Sequence, residues 1–337
     1  MKTEEYRDYL QAKGISTDDA GKQMVMVADF NKFLGSTGWK ETTAGSAKKE
    51  VERYGRRLIA QRRNTLENFS ALCDYTQWLG KRKWYVALLE TMDCYNAMEV
   101  LAQEVERKCG RETRGWIFRE PPPPLGTDEL ERSVYARRVA TRMAQRIDTG
   151  ESRDSWFQVQ HGIPPLDWRE HDRADQEKYR QCGNIDQFLD LKRRERDALL
   201  TRLRDENRLW YTVEINDEVL KFVQSDPEME VGHREGDKIY ISKIPYNAVR
   251  YLHESDARMK RYHACHCPWM RESILENRPI SADACYCSLG HASHYLAGLN
   301  LELHGEVLES AVKGDTRCRF VFHLPESVPH GGIQDTF

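Results

Sequence analysis

Long apolar runs are absent from this sequence. No stretch approaches the roughly 18 apolar residues that a membrane-spanning helix requires, which predicts that the chain has no membrane partner. The first six residues lack the apolar core of a secretory signal peptide. The nine cysteines are an odd number and they cluster, which is not typical of a secreted disulfide framework. We therefore predict a cytoplasmic protein.

An excess of charge of one sign is also missing. The formal net charge is −3 over 337 residues, and the 31% of residues that are charged mix both signs. This balance does not indicate a nucleic-acid partner. The motifs Gly-x-x-x-x-Gly-Lys-Ser/Thr, Gly-x-Gly-x-x-Gly, Gly-x-Ser-x-Gly and His-Glu-x-x-His do not occur. ATP, dinucleotide and serine-hydrolase chemistry therefore have no support in the sequence.

What the sequence does contain is a block rich in cysteine and histidine. Four of the nine cysteines and four of the eleven histidines lie within residues 261–295. The cysteines form two Cys-x-Cys pairs, Cys265 with Cys267 and Cys285 with Cys287. In an extended segment, residues i and i+2 point to the same side, so each pair can present two sulfurs to one centre. Four sulfurs suit Zn²⁺, our first choice, or an iron–sulfur cluster.

Other interpretations of this block stay open. The four histidines could replace or supplement the sulfur ligands, and haem could bind a histidine only without covalent attachment, because Cys-x-x-Cys-His is missing. The thiols could instead pack as small hydrophobic side chains, or form a redox dithiol pair. The four histidines are His263, His266, His291 and His294.

Candidate acid and base groups lie beside the cysteines. If water replaced one thiolate, the metal could activate that water for hydrolysis. His266, Asp283 and His291 would then be the candidate catalytic residues. A centre with four thiolates would instead be closed and structural.

Basic and aromatic residues of the block predict a ligand site. Positive charge near the cysteines lowers thiolate pKa values and could hold an anionic substrate. Aromatic rings could form the walls of the site, although ordinary core packing or surface exposure would explain the same residues. The residues predicted to bind the ligand or cofactor are Tyr262, Trp269, Arg271 and Tyr295.

Residues 1–120 are predicted to form a helical module, because apolar residues recur there at helical spacing. The motifs are Tyr9-Leu10-x-x-Lys13-Gly14, Phe30-x-x-Phe33-Leu34 and Leu66-x-x-Phe69-x-x-Leu72-x-x-Tyr75-x-x-Trp78-Leu79. With them the segment resembles the SAM-like core-binding module of tyrosine recombinases. The recombinase catalytic set is missing, since no His-x-x-Arg occurs, so recombination is not predicted.

A basic stretch lies in this module at residues 48–63. Lys49, Arg53, Arg56 and Arg63 share one helical face, which could follow the phosphates of DNA. The charge over the module is nearly balanced, which favours a solvated face. A protein contact, including one in a homo-oligomer, fits as well as DNA.

The remaining chain is predicted to form two parts. Pro121–Pro124 favour polyproline II and indicate a stiff linker, followed by a helical connecting region at residues 127–208 with an aromatic-rich loop over 151–173. Residues 209–330 are predicted to form an α+β domain with a small antiparallel sheet. Its predicted strands are 209–215, 219–223, 238–242, 301–309 and 318–324. The fold class is therefore α+β, with an N-terminal helical bundle and a mixed C-terminal domain.

The C-terminal residues carry a second resemblance. Gly298, Val307-x-Glu309-Ser310 and Gly314-Asp315-x-x-Cys318-x-Phe320 resemble the end of 4-vinyl-reductase-type domains. The block from Lys243 to Ser288 also resembles a Cys-x-Cys-rich family of anaerobic bacteria, which implies no reaction. The first resemblance implies a domain with the fold of nitric-oxide-sensing haem proteins and TRAPP subunits, which holds a small ligand. It implies that Cys318 is a further ligand or a buried thiol.

Three hypotheses follow from the sequence. The first is a metal-binding protein that binds or senses a small molecule. The second is a metal- or thiol-dependent enzyme, hydrolytic or reductive, that acts on a small anionic or sulfur-containing molecule. The third is a structural zinc protein with a protein or DNA partner.

Overall fold

The computed structural model of the protein describes residues 3–36, 44–161, 168–278 and 280–326. The fold is α+β with an N-terminal helical region and small antiparallel sheets, which confirms the predicted class. By its contacts the chain divides into two units. The first comprises Met1–Tyr95 and Pro122–Arg132, and the second comprises Asn96–Pro121 and Ser133–Phe337. The predicted three-part division at 120, 127 and 209 stays a prediction.

The helices of the first unit bury their apolar faces in one core. The Phe30 ring meets the rings of Tyr54 and Trp84 edge-on, with centroids 5.0 and 5.3 Å apart. Ser16 caps the second helix, because its hydroxyl accepts the Asp19 main-chain N–H at 3.2 Å. The helices are α1 (Thr3–Ala12), α2 (Thr17–Ser36), α3 (Ala44–Ala60), α4 (Leu66–Trp78) and α5 (Arg82–Met92).

Helices also make up most of the second unit. Two 3₁₀ helices, Ala282–Cys285 and His294–Leu299, flank the last α-helix. The α-helices that follow α5 along the chain are α6 (Ala97–Ile117), α7 (Glu129–Arg146), α8 (Thr149–His161), α9 (Trp168–Cys182), α10 (Ile185–Asp205), α11 (Asp217–Ser225), α12 (Ala248–His253), α13 (Ala257–Ala264), α14 (Arg271–Leu275) and α15 (Tyr286–Ser293).

The predicted loop over residues 151–173 is helical where the structure describes it. Helix α8 reaches residue 161 and helix α9 begins at residue 168, while 162–167 lie outside the described residues. Ser152, Ser155, Trp156 and Val159 are buried, and their spacing of three and four residues forms one helical face. Asp148 begins α8 by accepting the main-chain N–H of residues 150 and 151. The small serines on this face let α8 pack closely against α15.

The predicted strand at 219–223 is also wrong, since these residues lie in α11. Val219, Leu220 and Val223 are all buried at i, i+1 and i+4, which is the spacing of a helix face. The Asn216 side chain caps the helix by accepting the Val219 N–H at 2.9 Å. β-Branched composition favoured a strand, but the cap and the buried face determine a helix.

A four-stranded antiparallel sheet forms the core of the second unit. The strand order is β3-β4-β6-β5, and Ile241 pairs with Phe320 in the central register. Helix α15 and the 3₁₀ helix after it bury Leu289 and Leu296 against the same apolar cluster. A separate two-stranded ribbon precedes the sheet. The strands are β1 (Leu209–Trp210), β2 (Val213–Glu214), β3 (His233–Glu235), β4 (Lys238–Ser242), β5 (His304–Glu309) and β6 (Arg319–His323).

One edge of this sheet positions the candidate site. Ser242, at the end of β4, pairs with Arg319, at the start of β6, and Glu309, at the end of β5, pairs with Arg319 as well. Residues that leave these three strand ends therefore meet at the same edge. They are Lys243, Ser310 and Cys318.

Candidate functional site

The main chain fixes the sheet edge. The Lys243 N–H donates to the Cys318 carbonyl at 3.0 Å. The Ser310 N–H donates to the Asp315 carboxylate at 2.9 Å, which closes the turn between β5 and β6. Ser310 is fully buried, so its hydroxyl needs a partner inside the protein. That partner is the Cys285 thiol, with Sγ 2.9 Å from Ser310 Oγ.

The first Cys-x-Cys pair lies in the link between α13 and α14. Cys265 has extended backbone angles and is 3% exposed. The carbonyl of Cys267 accepts the N–H groups of Met270 and Arg271 and so begins α14. The extended conformation that the prediction assumed is therefore present at Cys265.

The second Cys-x-Cys pair lies in helical backbone. Cys285 ends a 3₁₀ helix and Cys287 lies in the first turn of α15. On a helix, residues i and i+2 do not face the same side. This pair therefore lacks the extended backbone that the prediction assumed, and Cys285 and Cys287 as metal ligands stay a prediction.

Cys318 joins the other three thiols. A negative charge on Cys318, Cys267 or Cys285 raises the pKa of Cys265, and a negative charge on Cys318 or Cys267 raises the pKa of Cys285. Cys265, Cys267 and Cys318 also belong to one apolar cluster. We call Cys265, Cys267, Cys285 and Cys318 the thiol cluster. Its sulfurs come from three separate segments of the chain.

Burial controls the ionisation of the thiol cluster. It raises the pKa of Cys265 well above its usual value and also raises the pKa of Cys285, and in both the neighbouring thiols add to the rise. Burial likewise raises the pKa of Cys318, although the positive charge of Lys243 opposes this. The thiols of Cys265, Cys285 and Cys318 are therefore protonated near neutral pH unless a cation joins them. Within the described residues, no three His, Cys, Asp or Glu side chains already stand in the arrangement of a metal site.

Two predicted catalytic histidines lie beside the thiol cluster. His266 Nε2 donates to the Ile244 carbonyl at 2.6 Å. Burial first, and then the charge of Lys243, lowers the pKa of His266 to about 3. Burial also lowers the pKa of His291 well below its usual value. Both imidazoles are therefore neutral at pH 7. Neither is an imidazolium general acid at this pH, and each can act as a neutral hydrogen-bond donor or acceptor.

The third predicted catalytic residue, Asp283, is engaged by a cation. Its carboxylate accepts from Arg153 Nε at 3.0 Å, and the Arg153 guanidinium also lies over the Tyr286 ring. The carboxylate is thus part of an ion pair that ties α8 to the 3₁₀ helix before α15. The role of Asp283 as a catalytic residue stays a prediction.

Three of the predicted ligand-binding residues contact other side chains of the protein. Trp269 is 1% exposed, with its ring 6.4 Å from that of Tyr135. The Tyr262 hydroxyl donates to Glu272 at 3.0 Å. Arg271 is 3% exposed, and its guanidinium lies 4.1 Å from the centre of the Tyr246 ring. A buried cation over an aromatic face is held in one orientation.

Tyr295 lies on the other side of the site. Its ring meets that of His291 edge-on, with centroids 5.6 Å apart. Burial and the nearby carboxylate of Glu230, to which the phenol hydrogen-bonds, raise the pKa of Tyr295 well above its usual value. The phenol therefore stays protonated and is a hydrogen-bond donor.

Three residues of the site were not predicted from the sequence. Lys243 is 6% exposed, and its Nζ lies 3.1 Å from His291 Nδ1. Glu230 is 3% exposed and accepts the Ile244 N–H at 2.9 Å, and Ser310 binds the Cys285 thiol. A strand that ends directly before Lys243 was the one local signal, and it did not indicate burial of the side chain.

No helix in the described parts of the chain is both long enough and apolar enough to cross a membrane.

No protein-family model, no curated protein and no solved structure matches the chain.

Proposed function

We propose that the protein is a cytoplasmic metal-binding protein whose thiol cluster holds Zn²⁺ or an iron–sulfur cluster and which binds or senses a small ligand beside it. The observation that carries this proposal is the convergence of one buried and three partly buried cysteines from three chain segments, Cys265 with Cys267, Cys285 and Cys318. Four thiolates are the donor set that suits these metals.

Electrostatics support a cation at this place. Each thiolate in a buried group raises the free energy of the next, so four thiolates can coexist only around positive charge. A bound metal would supply that charge and would release protons from the thiols. The sulfurs would complete the ligand set by turning their side chains toward one point. The resemblance of the C-terminal residues to ligand-holding domains supports the second half of the proposal.

The test is the metal content and visible absorption spectrum of protein purified without oxygen. We expect about one zinc per chain without colour, or iron with sulfide and a brown chromophore. Zinc would favour a structural or hydrolytic site, whereas an iron–sulfur chromophore would favour redox chemistry or sensing. Protein with neither metal would contradict the proposal.

The ligand set has its own matched test. The Cys318→Ser variant should lose most of the metal, because Cys318 belongs to the thiol cluster. The Cys287→Ser variant should keep it, because Cys287 lies in the first turn of α15. Loss of metal from Cys287→Ser together with retention in Cys318→Ser would restore the original set of two Cys-x-Cys pairs. Equal retention in both would exclude this centre.

A thiol-dependent enzyme is the second candidate. The specific observation that favours it is the charge of Lys243, which lowers the pKa of Cys318 against the effect of burial. Alkylation of Cys318 by iodoacetamide should then be faster than that of Cys73, which is buried without a neighbouring cation. Equal rates, read by mass spectrometry of the intact chain and its peptides, would remove this candidate.

A further inference from the structure

A buried lysine, Lys243, lies at the sheet edge and is not one of the proposed metal ligands. Lys243 follows β4, and its side chain is 6% exposed. The ammonium group reaches α15, where Nζ lies 3.1 Å from Nδ1 of His291. The main-chain N–H of the same residue donates to the Cys318 carbonyl. Backbone and side chain are thus both held.

The charge of Lys243 is not matched by a carboxylate. Over the described ranges, no Asp or Glu oxygen lies within the 4.0 Å of an ion pair with its Nζ. The buried carboxylate of Glu230 is turned to the Ile244 N–H and to the Tyr295 phenol. An ammonium group that is buried without an opposite charge is costly, so the folded chain favours an anion at this position.

Neighbouring groups suit an organic anion. Arg271 adds a second buried cation, and the charges of Lys243 and Arg271 both act on His266. The rings of Tyr246 and Tyr295 lie against the two imidazoles, with centroids 5.5 Å from His266 and 5.6 Å from His291. Two cations select an oxyanion, and two aromatic rings favour an apolar group attached to it.

We propose that Lys243, His291 and Arg271 bind the carboxylate or phosphate group of a small organic anion, with Tyr246 and Tyr295 against its apolar part. Lys243 donates to an oxygen of the anion, and His291 orients the ammonium group. This anion site lies beside the thiol cluster but does not require a metal, so it stands or falls separately from the proposed function.

The probes are benzoate and its neutral analogue benzamide, followed by phosphate and acetate at equal ionic strength. The unfolding temperature of the full chain should rise with benzoate and not with benzamide, because only benzoate carries the charge. A rise with phosphate as large as that with benzoate would assign the site to phosphate esters. Equal effects of benzoate and benzamide, or no effect of any of the three anions, would overturn the proposal.

The matched variants are Lys243→Met and Lys238→Met, both lysines of the β4 segment. Lys243→Met should weaken benzoate binding at least about tenfold, since a charge-assisted hydrogen bond is lost, whereas Lys238→Met should bind like the wild type. Unchanged benzoate affinity in Lys243→Met would overturn the proposal.

The metal content of the same variants separates this site from the thiol cluster. If Lys243→Met lost metal while benzoate had no effect on the wild type, Lys243 would be the counter-charge of the thiol cluster and the anion site would be excluded. If Lys243→Met failed to fold, Lys243→Arg would keep the charge and should retain benzoate binding. Loss of benzoate stabilisation in a folded Lys243→Arg would then overturn the role of the charge.

Discussion

Positive charge is matched differently at two sites of this protein, one in each unit. In the first unit, the Asp29 carboxylate accepts three hydrogen bonds. They come from Arg57 at 2.8 Å, from Arg63 at 3.0 Å and from the Tyr54 hydroxyl at 2.9 Å. In the second unit, the more deeply buried Lys243 has a neutral histidine as its side-chain partner. The first arrangement matches its cations with a carboxylate, whereas the second leaves the ammonium group beside a neutral imidazole.

The comparison changes how the basic stretch at 48–63 is interpreted. Arg53 pairs with Glu50 at 2.6 Å, and Lys48 pairs with Glu129 at 3.2 Å. Cations that already hold carboxylates have less to offer to phosphates. A DNA contact by this stretch stays a prediction, and its ion pairs work against it. A high density of basic residues in a sequence therefore says less about ligands than one buried lysine without a carboxylate.

The largest expected effect concerns the thiols. The Cys265→Ser variant should lose its metal. Its free energy of unfolding in urea should fall by at least about 3 kcal/mol, because the binding energy of the metal is part of the folding energy. A chelator should destabilise the wild type by a similar amount and should not affect the variant further.

The control for this change is Cys73→Ser in the first unit. Cys73 is 6% exposed in the core, and burial raises its pKa to about 12. Its replacement should cost about 1–3 kcal/mol for the buried hydroxyl and leave the metal content unchanged. If both variants behaved alike toward the chelator, the thiol cluster would be ordinary packing and the two units would not differ in this respect.

The next effect tests the complete arrangement. Asp29→Asn should lower the free energy of unfolding by about 1–3 kcal/mol, because two partly buried arginines lose their carboxylate. The value is at the lower end of losses at buried pairs, since Arg57 and Arg63 remain about a third exposed. Asp8→Asn, at an exposed position of α1, is the control for urea unfolding. An equal loss in both variants would show that the Asp29 network contributes nothing specific.

A smaller effect of opposite sign is expected at Lys243. In buffer without organic anions, the free energy of unfolding of Lys243→Met, measured with urea, should be unchanged or higher by up to about 1 kcal/mol. The reason is that the variant lacks a buried charge without a carboxylate partner. The comparison variant is Lys192→Met, since Lys192 is similarly buried but pairs with Asp175. That variant should be destabilised. A loss in Lys243→Met as large as that in Lys192→Met would remove the distinction between a buried cation with a carboxylate partner and one without.

The smallest effect is a pH dependence at the sheet. Burial raises the pKa of Glu228, but the hydrogen bonds from Arg319, at 2.7 and 2.6 Å, and from Ser242 outweigh it and leave the pKa below its usual value. A folded-state pKa below the unfolded one contributes stability that is present above about pH 4.5 and is lost as the pH falls through the folded value.

Glu228→Gln should therefore cost less than about 1 kcal/mol at pH 7 and flatten the loss of stability below pH 4.5. Glu235→Gln, at an exposed position on β3, should leave the acid limb of the urea midpoint against pH unchanged. Identical acid limbs in the wild type and Glu228→Gln would contradict the expected coupling.

The segments with a clear apolar period were predicted correctly. Strands β5 and β6 lie within the predicted ranges 301–309 and 318–324. The predicted spacing of Leu66, Phe69 and Leu72 falls in α4, where Thr65 accepts the Asn68 N–H. A sustained apolar period therefore identifies an element, which the short segment at 219–223 does not provide.

The candidate site was predicted in part. From the sequence came the cysteine block, His266 and His291, and Arg271 as positive charge near the cysteines, while its burial came only from the structure. The sequence missed Lys243, and extended backbone was assumed for both Cys-x-Cys pairs. The second pair has helical backbone instead. No local pattern distinguishes the two pairs, because the backbone of the second depends on how α15 packs against the sheet and α8.

By itself the sequence determined the α+β class, the elements with a sustained apolar period and the concentration of thiols in one block, because periodicity, caps and composition act over a few residues. Only the tertiary structure decided which sulfurs meet and which charges stay unmatched. Lys243 and His291 are 48 residues apart, and Cys285 and Ser310 are 25 apart. Such partners meet through the register of β4, β5 and β6 and the packing of α15, which long-range burial determines and a local pattern does not contain.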